Sequence, residues 1–343
     1  MSKKVQHVKL EDLAQKLNVS KVTISKALRD HPDISIEMKR KVNLLADELG
    51  YVPNFLAKNL SSRKSNIIGL VVPKIAHFFF GSIIESVYDT AFKNNYEIVL
   101  TVSQEMAARE RKHILSLLSM KVDGLIVSVT QETTDNAIFE RVKNMKVPLV
   151  FIDRVPTTEC TSSVTVDDYG GAYSATEYFI KKRLTKIAHL GGYNHINIGK
   201  ARTAGFTSAM NDYNIPINSD WMIEGGFAEE DGYEGFNRIF SKGPLPEAIL
   251  AVTYPVALGF YEAAIQHGIS IPDDVQITCF GSNSYKNMVP SVFNFVHQPA
   301  KELGEEAVKL ILNLINNPTE FECSNIELKT QLMINGKSNK SVA

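Results

Sequence analysis

One short segment carries hydroxyl, ammonium and apolar side chains at a spacing that suits a polyanion. Residues 20–26 read Ser-Lys-Val-Thr-Ile-Ser-Lys, and on a helix four of them would face solvent: Lys21, Val22, Ser25 and Lys26. Hydroxyls such as those of Ser20 and Thr23 suit phosphate oxygens. A lysine can donate to guanine, and a valine can touch a thymine methyl group. The segment predicts a helix that reads a DNA major groove. For an isolated motif of this kind, an ordinary solvated helix face is the favoured alternative.

A second set of polar and aromatic side chains follows apolar runs further along the chain. Sugar-like ligands bind through bidentate polar groups together with an aromatic face, and this set supplies both. Its members are His77, Phe78, Gln104, Asp153, Arg154, Arg202, Phe227, Tyr254 and Asn283. Ordinary alternatives exist, because a phenylalanine is more often part of a core and Asp153-Arg154 could be a solvated turn pair.

Motifs of the common enzyme and metal-binding classes are missing. The sequence has no Gly-x-Ser-x-Gly, His-Glu-x-x-His, Gly-x-Gly-x-x-Gly or P-loop motif. The three cysteines, Cys160, Cys279 and Cys323, lie far apart without metal-ligand spacing, and this sparse, odd number fits a reducing compartment. Neither a signal peptide nor an apolar run of ~18 residues is present. We therefore predict a cytoplasmic protein that is not an enzyme and binds no metal or cofactor.

The first segment belongs to a group of short predicted helices. Helical spacing places four apolar residues on one face of a first helix: Leu10, Leu13, Ala14 and Leu17. Ser20 can cap a second helix that ends near Leu28. Ser35 can cap a third, which Gly50 ends. The short turn between the first two helices predicts a helix-turn-helix.

From residue 67 onward, short apolar runs alternate with helix-length segments, which indicates parallel sheets with helices on both faces. Such runs over ~260 residues are too many for one sheet, so we predict two doubly wound halves that meet near residue 163. Ligands bind at the carboxyl ends of such strands, where the second set of residues lies. The runs are Ile67–Val72, Ile98–Val102, Gly124–Val129, Leu149–Ile152, Val164–Val166, Ile187–Leu190, Ile249–Val252 and Val275–Phe280.

Charge is distributed unevenly along the chain. Residues 1–65 contain 13 of the 37 Lys and Arg residues but only 7 of the 38 Asp and Glu residues, although the whole chain has a formal net charge of −1. A basic N-terminal module on an acidic body indicates a polyanionic partner for that module. A basic tail that only aids solubility would give the same asymmetry.

The ordered motifs of residues 8–66 resemble the headpiece of the lactose-repressor/galactose-repressor family of bacterial transcription regulators. In this region they are Glu11-Asp12-Leu13-Ala14, Val19-Ser20-x-x-Thr23-Ile24-Ser25-Lys26-Ala27-Leu28, Lys41-Val42 and Glu48-Leu49-Gly50-Tyr51-Val52-Pro53-Asn54. Further similarity covers nearly the whole chain, through Ile68-Gly69-Leu70-Val71-Val72-Pro73, Val122-Asp123-Gly124-Leu125-Ile126, Pro148-Leu149-Val150-Phe151-Ile152-Asp153-Arg154, Arg202-x-x-Gly205-Phe206 and Gln298-Pro299.

The resemblance implies an α/β fold: an all-α helix-turn-helix headpiece and a core like that of periplasmic binding proteins. It implies a homodimer that binds double-stranded operator DNA. It also implies a small-molecule effector, a sugar or sugar derivative. The family pattern favours a repressor over an activator. The implied domains are a headpiece at 1–52, a hinge at 53–66, a first subdomain at 67–163 plus about 294–325, and a second at 164–293 plus about 326–336.

Family positions imply roles for individual residues. Leu60 would be a hinge-helix leucine that enters the minor groove, flanked by Asn54 and Ala57. The family commonly has an arginine where this chain has Lys26, which puts the half-site sequence in doubt. Thr253-Tyr254 and Gly281 replace polar residues that commonly bind sugar hydroxyls. A bulkier or phosphorylated effector is therefore an alternative to a plain hexose.

Overall fold

A computed structural model describes residues 8–52, 64–76, 78–156, 160–281, 292–317, 323–334 and 337–338. The chain divides into two compact units, one through Ser65 and one from Asn66, which we call the headpiece and the core. Among the described residues, none of the helices combines the length and apolar character needed to cross a membrane.

The described residues of the headpiece form three helices: α1 (Leu10–Lys16), α2 (Lys21–Leu28) and α3 (Ile36–Leu49). Each helix contributes fully buried side chains to a small core, among them Leu13, Ile24 and Val42. The predicted caps are confirmed, because the Ser20 hydroxyl accepts a hydrogen bond from the Thr23 amide at 3.1 Å. Gly50 ends α3 with φ of 63°, a left-handed conformation that glycine adopts without strain.

A six-stranded parallel sheet forms the first subdomain of the core, in the order β11-β5-β4-β3-β1-β2. Its strands are β1 (Ile67–Val72), β2 (Glu97–Val102), β3 (Gly124–Val127), β4 (Leu149–Ile152), β5 (Ser162–Val166) and β11 (Asn325–Leu328). Helices α4 (Phe78–Lys93), α5 (Ala107–Ser119), α6 (Ala137–Asn144) and α11 (Ala300–Asn316) belong to this subdomain. Every residue of β1 is buried, which explains why its sequence is apolar throughout.

A seven-stranded sheet forms the second subdomain, in the order β13-β12-β10-β9-β8-β6-β7. Its strands are β6 (Ile187–Gly192), β7 (Met222–Gly225), β8 (Ala248–Ala251), β9 (Gln276–Phe280), β10 (Phe293–His297), β12 (Gln331–Ile334) and β13 (Lys337–Ser338). Strand β12 pairs antiparallel with β10 and β13, and the other pairs are parallel. Four helices accompany the sheet: α7 (Asp168–Lys181), α8 (Asn197–Asp212), α9 (Glu229–Phe240) and α10 (Tyr254–Gln266).

The chain crosses between the two subdomains three times. It passes from β5 into α7, from β10 into α11, and from β11 into β12. The predicted class, a helical headpiece with two doubly wound subdomains, is confirmed, and each of the eight predicted apolar runs overlaps a strand.

The strands next to these crossings correct the predicted subdomain bounds. Residues 164–166 were expected in the second subdomain, but they form part of β5 in the first sheet. Residues 294–297 were expected in the first subdomain, but they belong to β10, which pairs with β9 in the second. Residues 326–328 of β11 were expected in the second subdomain, yet they pair with β5. The subdomain to which each of these strands belongs is decided by hydrogen bonds to segments that are distant in sequence. Local apolar patterns give no information about such pairing. The predicted bound between headpiece and hinge stays a prediction, because residues 53–63 lie outside the described part of the chain.

Two cysteines that are far apart in the sequence lie close together in the structure. Cys160 and Cys323 form a disulfide with Cα atoms 5.4 Å apart, although 163 positions separate them. They are brought together because each precedes one of two paired parallel strands, β5 and β11. Cys279 is a buried free thiol.

Candidate functional site

Six of the nine residues predicted to contact DNA lie on α2 or at its N-cap. Ile24 and Ala27 are buried against the other headpiece helices, which fixes the opposite face toward solvent. Val22 lies on that face with 64% of its surface exposed, a high value for an apolar side chain. Ser20 and Thr23 sit at the helix N-terminus, with their hydroxyl oxygens 2.9 Å apart. The helix therefore presents hydroxyl, ammonium and apolar groups together.

Both lysines of α2 form ion pairs within the headpiece. The Lys21 ammonium contacts the Glu11 carboxylate, and the Lys26 ammonium lies 2.7 Å from Asp33. Hydrogen bonding to Lys21 lowers the pKa of Glu11, and hydrogen bonding to Lys26 lowers the pKa of Asp33. Such exposed pairs contribute little to stability, so a phosphate can replace the carboxylate at small cost.

A cavity of about 300 Å³ lies between the two subdomains, at the carboxyl ends of their strands. This volume suits a small ligand. We call it the central cavity. Seven of the nine residues predicted to bind effector line it: Phe78, Gln104, Asp153, Arg154, Arg202, Phe227 and Tyr254. The other two, His77 and Asn283, lie outside the described residues, as do Asn54, Ala57 and Leu60.

Arg202 is the most constrained charged group of the central cavity. It lies on α8 with 1% of its surface exposed. Its Nε and Nη2 atoms donate to Asp168 Oδ1 at 2.8 and 2.6 Å, and Nη1 donates to the Val252 carbonyl. The guanidinium stacks on Phe280, 3.7 Å from the ring centroid. Three of its five N–H groups are thereby committed to protein acceptors.

Arg154 is held by a carboxylate and an aromatic ring. Its Nη1 donates to both carboxylate oxygens of Glu105, at 3.0 and 2.9 Å. Its guanidinium lies 4.4 Å from the centroid of Phe227. The Nε atom is buried and has no hydrogen-bond partner among the described residues, and the same holds for Nε2 of Gln298. Arg154 and Gln298 both line the cavity, so its wall holds two buried donors without an acceptor among the described residues.

Asp153 supplies an acceptor beside these donors. Its carboxylate lies 4.0 Å from Arg154 Nε, too far for a hydrogen bond. Burial raises the pKa of Asp153 to about 6, and the charges of Arg154 and Arg202 oppose that rise. The Asp153 carbonyl accepts a hydrogen bond from Asn197 Nδ2 at 3.0 Å, and Asn197 Oδ1 accepts one from the Val155 amide. Asn197 begins α8, so this clamp joins the end of β4 to the second subdomain.

One wall of the central cavity differs from the one that the family pattern implies. It is formed by Thr253, Tyr254 and Gly281. The Thr253 hydroxyl donates to the Phe227 carbonyl at 3.1 Å and accepts from the Val256 amide, so it caps α10. Tyr254 packs its ring near Phe293 and Phe295. A Cβ atom at Gly281 would come within 3.1 Å of the Tyr254 Cβ, and φ there is 147°, so this wall needs a glycine.

Some lining residues were not predicted from the sequence. Glu105 follows the predicted Gln104, and its ion pair with Arg154 and the hydrogen bond it accepts from the Gln131 amide make it part of the site. Gln298 directly follows β10, a strand that was not recognised. Further lining residues are Lys74, Ala76, Phe79, Phe80, Gln131, Ile198, Ala228, Glu229, Pro255 and Leu258. No group of three or more His, Cys, Asp or Glu side chains that could hold a metal occurs in the described part of the chain.

Comparison with known families matches both units of the chain. Residues 65–334 match the family described as "Periplasmic binding proteins and sugar binding domain of LacI family". Residues 9–54 match "Bacterial regulatory proteins, lacI family". The chain belongs to the LacI family. The resemblance seen in the sequence is thereby confirmed.

Relatives within the LacI family align over nearly the whole chain. The HTH-type transcriptional repressor PurR of Pasteurella multocida is 29% identical over 97% of this chain and 98% of its own length. Catabolite control protein A of Priestia megaterium is 27% identical over 91% and 94%. Among solved structures, the Lac repressor dimer bound to operator and the anti-inducer ONPF matches with a TM-score of 0.83 and 22% identity, covering 98% of this chain and 100% of that chain.

Proposed function

We propose that this LacI-family chain is a DNA-binding transcription repressor whose operator affinity is set by a small polyhydroxylated effector in the central cavity. It acts in the cytoplasm as a homodimer and catalyses no reaction. The observation that carries this proposal is the combination of an outward-facing recognition helix with a cavity that holds unpaired buried donors and an acceptor. The repressor names of several relatives support the assignment.

On the DNA side, α2 supplies the groups that a major groove requires. Lys21 and Lys26 can exchange their surface carboxylates for phosphates or guanine atoms, and Val22 can meet a thymine methyl. We propose that Ser20 and Thr23, at the N-terminal end of the helix, and Ser25, in its middle, contact phosphates or bases. Asn54, Ala57 and Leu60 are proposed to act in the minor groove at the centre of the site.

The polar groups of the central cavity favour a neutral polyol over a phosphorylated ligand. A sugar hydroxyl both donates and accepts, so adjacent hydroxyls match a lining that offers the Asp153 carboxylate beside the donor groups of Arg154 and Gln298. The ionisable lining is balanced, with three acidic residues (Glu105, Asp153, Glu229) against three basic ones (Lys74, Arg154, Arg202). A phosphate would meet the acidic groups as well as the basic ones, without excess positive charge to offset its desolvation.

Aromatic side chains supply the apolar face that a sugar ring needs. Phe78, Phe227 and Tyr254 belong to the cavity lining, and Phe78 has 45% of its surface exposed. Two related structures carry sugars in their titles, a CelR–cellobiose complex and an Enterococcus faecium LacI-family regulator with bound ribose. We therefore propose a mono- or disaccharide without a phosphate group.

Effector and operator are proposed to act on each other through the angle between the subdomains. The cavity lining comes from both subdomains, so a ligand stabilises the arrangement that fits it. A change in that angle would alter the spacing of the two headpieces of a dimer and therefore their fit to the operator. Linkage requires that the effect be reciprocal.

Footprinting tests this function directly. The purified protein is incubated at fixed salt with DNA from its own chromosomal neighbourhood, with and without neutral sugars and their phosphates. We expect one protected, nearly palindromic site whose protection changes with one neutral sugar. Protection that responds only to a sugar phosphate would refute the effector class. No protection by a folded dimer under any condition would refute the regulator itself.

A further inference from the structure

The Cys160–Cys323 disulfide lies at the amino ends of two neighbouring strands. Strand β5 begins two residues after Cys160, and β11 begins two residues after Cys323. Both cysteines are exposed to solvent, so small thiols and disulfides can reach them. The two cysteines come together only through the pairing of β5 with β11, because 163 sequence positions separate them.

Both strands lead directly into the second subdomain. The chain leaves β5 for α7 and leaves β11 for β12, which are two of the three crossings between subdomains. The disulfide therefore ties together the two strands that lead into these crossings. It lies at the ends of the strands that are farthest from the central cavity.

Strand β11 is held in its sheet by its pairing with one neighbouring strand, β5. It is the edge of its sheet, paired only with β5, and its residues are exposed or half-buried. Ser163 donates to the Ser324 carbonyl at 2.9 Å, and Asp167 donates to the Leu328 carbonyl at 2.8 Å, both through their amides. An edge strand held by so little buried surface opens readily unless it is tied down.

The restraint on β11 extends to the central cavity through Asp167 and Asp168. The Thr330 hydroxyl, just after β11, donates to the Asp167 carbonyl at 3.2 Å. Asp167 caps α7 by accepting from the Gly170 amide, and Asp168 holds Arg202. The order of β11 thus bears on the position of a charged group that lines the cavity.

We propose that Cys160 and Cys323 are a reversible redox site, oxidised by low-molecular-weight disulfides, that clamps β11 against β5. One protein thiolate attacks a disulfide R–S–S–R, forms a mixed disulfide and releases RS⁻. The second protein thiolate then attacks the mixed disulfide, forms the Sγ–Sγ bond and releases a second RS⁻. The protein loses two electrons, R–S–S–R gains them, and the two thiol protons pass to the released thiolates.

The third cysteine provides an internal control. Cys279 is buried, and burial raises the pKa of its thiol far above the usual range. A thiol that does not ionise in the folded protein neither attacks a disulfide nor is alkylated. Oxidised native protein should therefore present no reactive thiol, and reduced native protein should present two.

The test uses the full-length chain in glutathione buffers that range from fully oxidised to fully reduced. Native protein is alkylated at each ratio, and intact mass gives the number of blocked thiols. Hydrogen exchange of the amides in β11 and at the start of α7 is measured at both extremes. We expect a reversible change between zero and two alkylated thiols, and exchange in β11 about tenfold faster in the reduced form. We also expect the disulfide to raise the melting temperature by roughly 5–10 °C.

Cysteine variants distinguish the effect of the Cys160–Cys323 disulfide on β11 from a general effect of the redox buffer. In Cys160→Ser and Cys323→Ser, exchange in β11 should match that of the reduced wild type at every glutathione ratio. In Cys279→Ala the redox response should persist. Two alkylated thiols at all ratios, or a stable mixed disulfide with one glutathione per chain, would overturn the site. A disulfide that forms without changing exchange in β11 would overturn the clamp. These measurements need neither operator nor effector, so their outcome is independent of the proposed function.

Discussion

The ion pairs of α2 and those of the central cavity use the same chemistry in opposite surroundings. Lys21–Glu11 and Lys26–Asp33 are exposed, whereas Arg202–Asp168 and Arg154–Glu105 are largely buried. An exposed pair contributes little stability and can exchange partners. A buried pair fixes geometry, and removing one partner leaves an uncompensated charge. The molecule thus presents exchangeable charges to DNA and fixed charges to its small ligand.

The largest effect that follows from this comparison is on core stability. Asp168→Ala removes the carboxylate that holds Arg202 and leaves a buried guanidinium without its partner. We expect the free energy of unfolding of the core to fall by about 4 kcal/mol, as measured by urea denaturation. Asp212→Ala is the matched control, since Asp212 is an exposed carboxylate on α8 that accepts a hydrogen bond from Tyr173. Equal effects of the two substitutions would contradict the distinction between buried and exposed carboxylates.

Asp153 gives the buried region a pH dependence opposite in sign to that of Glu11 and Asp33, the α2 partners whose pKa values are lowered. Its pKa is raised to about 6 from an ordinary value of 3.8, because burial disfavours its ionised form. A raised pKa means that the associated stability is present below about pH 4 and is lost as the pH rises through about 6. Relative to Asp153→Asn, the wild type should lose about 2–3 kcal/mol of unfolding free energy across this interval.

Comparing the wild type with Asp153→Asn also removes the contributions of other titrating groups, because both proteins contain them. The pKa of Glu110 is likewise raised by burial, to about 7, but Glu110 is present in both proteins. Urea denaturation at several pH values between 4 and 7 measures the difference. A difference that stays constant over this range would show that Asp153 ionises normally in the folded core.

A substitution of Gln298 should affect ligand binding without lowering stability, because its Nε2 atom has no hydrogen-bond partner among the described residues. Gln298→Leu removes a buried donor that has no partner, so stability should not fall, whereas effector affinity should fall about tenfold. Calorimetric titration with the sugar identified by footprinting measures the affinity. Gln266→Leu is the control, because Gln266 is exposed on α10 and does not line the cavity. A loss of stability without a loss of affinity would assign Gln298 to packing alone.

The smallest effects are expected at α2. Lys26→Ala should leave the unfolding transition unchanged and should lower the slope of log affinity against log salt by about one for operator DNA. Lys309→Ala on α11 removes a similar exposed pair, with Glu306 at 2.7 Å, and should not change that slope. Fluorescence anisotropy at several salt concentrations measures both. An unchanged slope in Lys26→Ala would remove this lysine from the DNA contacts.

Local patterns were sufficient for the headpiece and for the buried strands. Ser20, Ser35 and Gly50 cap helices through contacts that span only a few residues, and β1 is apolar throughout because both of its faces are covered. Strand β11 reads Asn-Ile-Glu-Leu and lies at an edge, so its sequence carries no strong strand signal. Subdomain membership of β5, β10 and β11 depends on pairing between segments that are distant in sequence.

The residues of the candidate site were predictable where they follow a strand that the sequence pattern reveals. Residues that directly follow recognised strands, such as Gln104 and Asp153, could be placed at a common edge and do line the central cavity. Gln298 follows the unrecognised β10, and the importance of Glu105 rests on its contact with Arg154. The Cys160–Cys323 pair was invisible because nothing in the sequence indicates that β5 and β11 are neighbours.

Reciprocal linkage between operator and effector tests the central claim most directly. Operator affinity is measured with and without saturating effector, and effector affinity with and without saturating operator, in one buffer. The account predicts that each ligand changes the affinity of the other by the same factor, at least fivefold. An effector that saturates the central cavity and leaves operator affinity unchanged would contradict it.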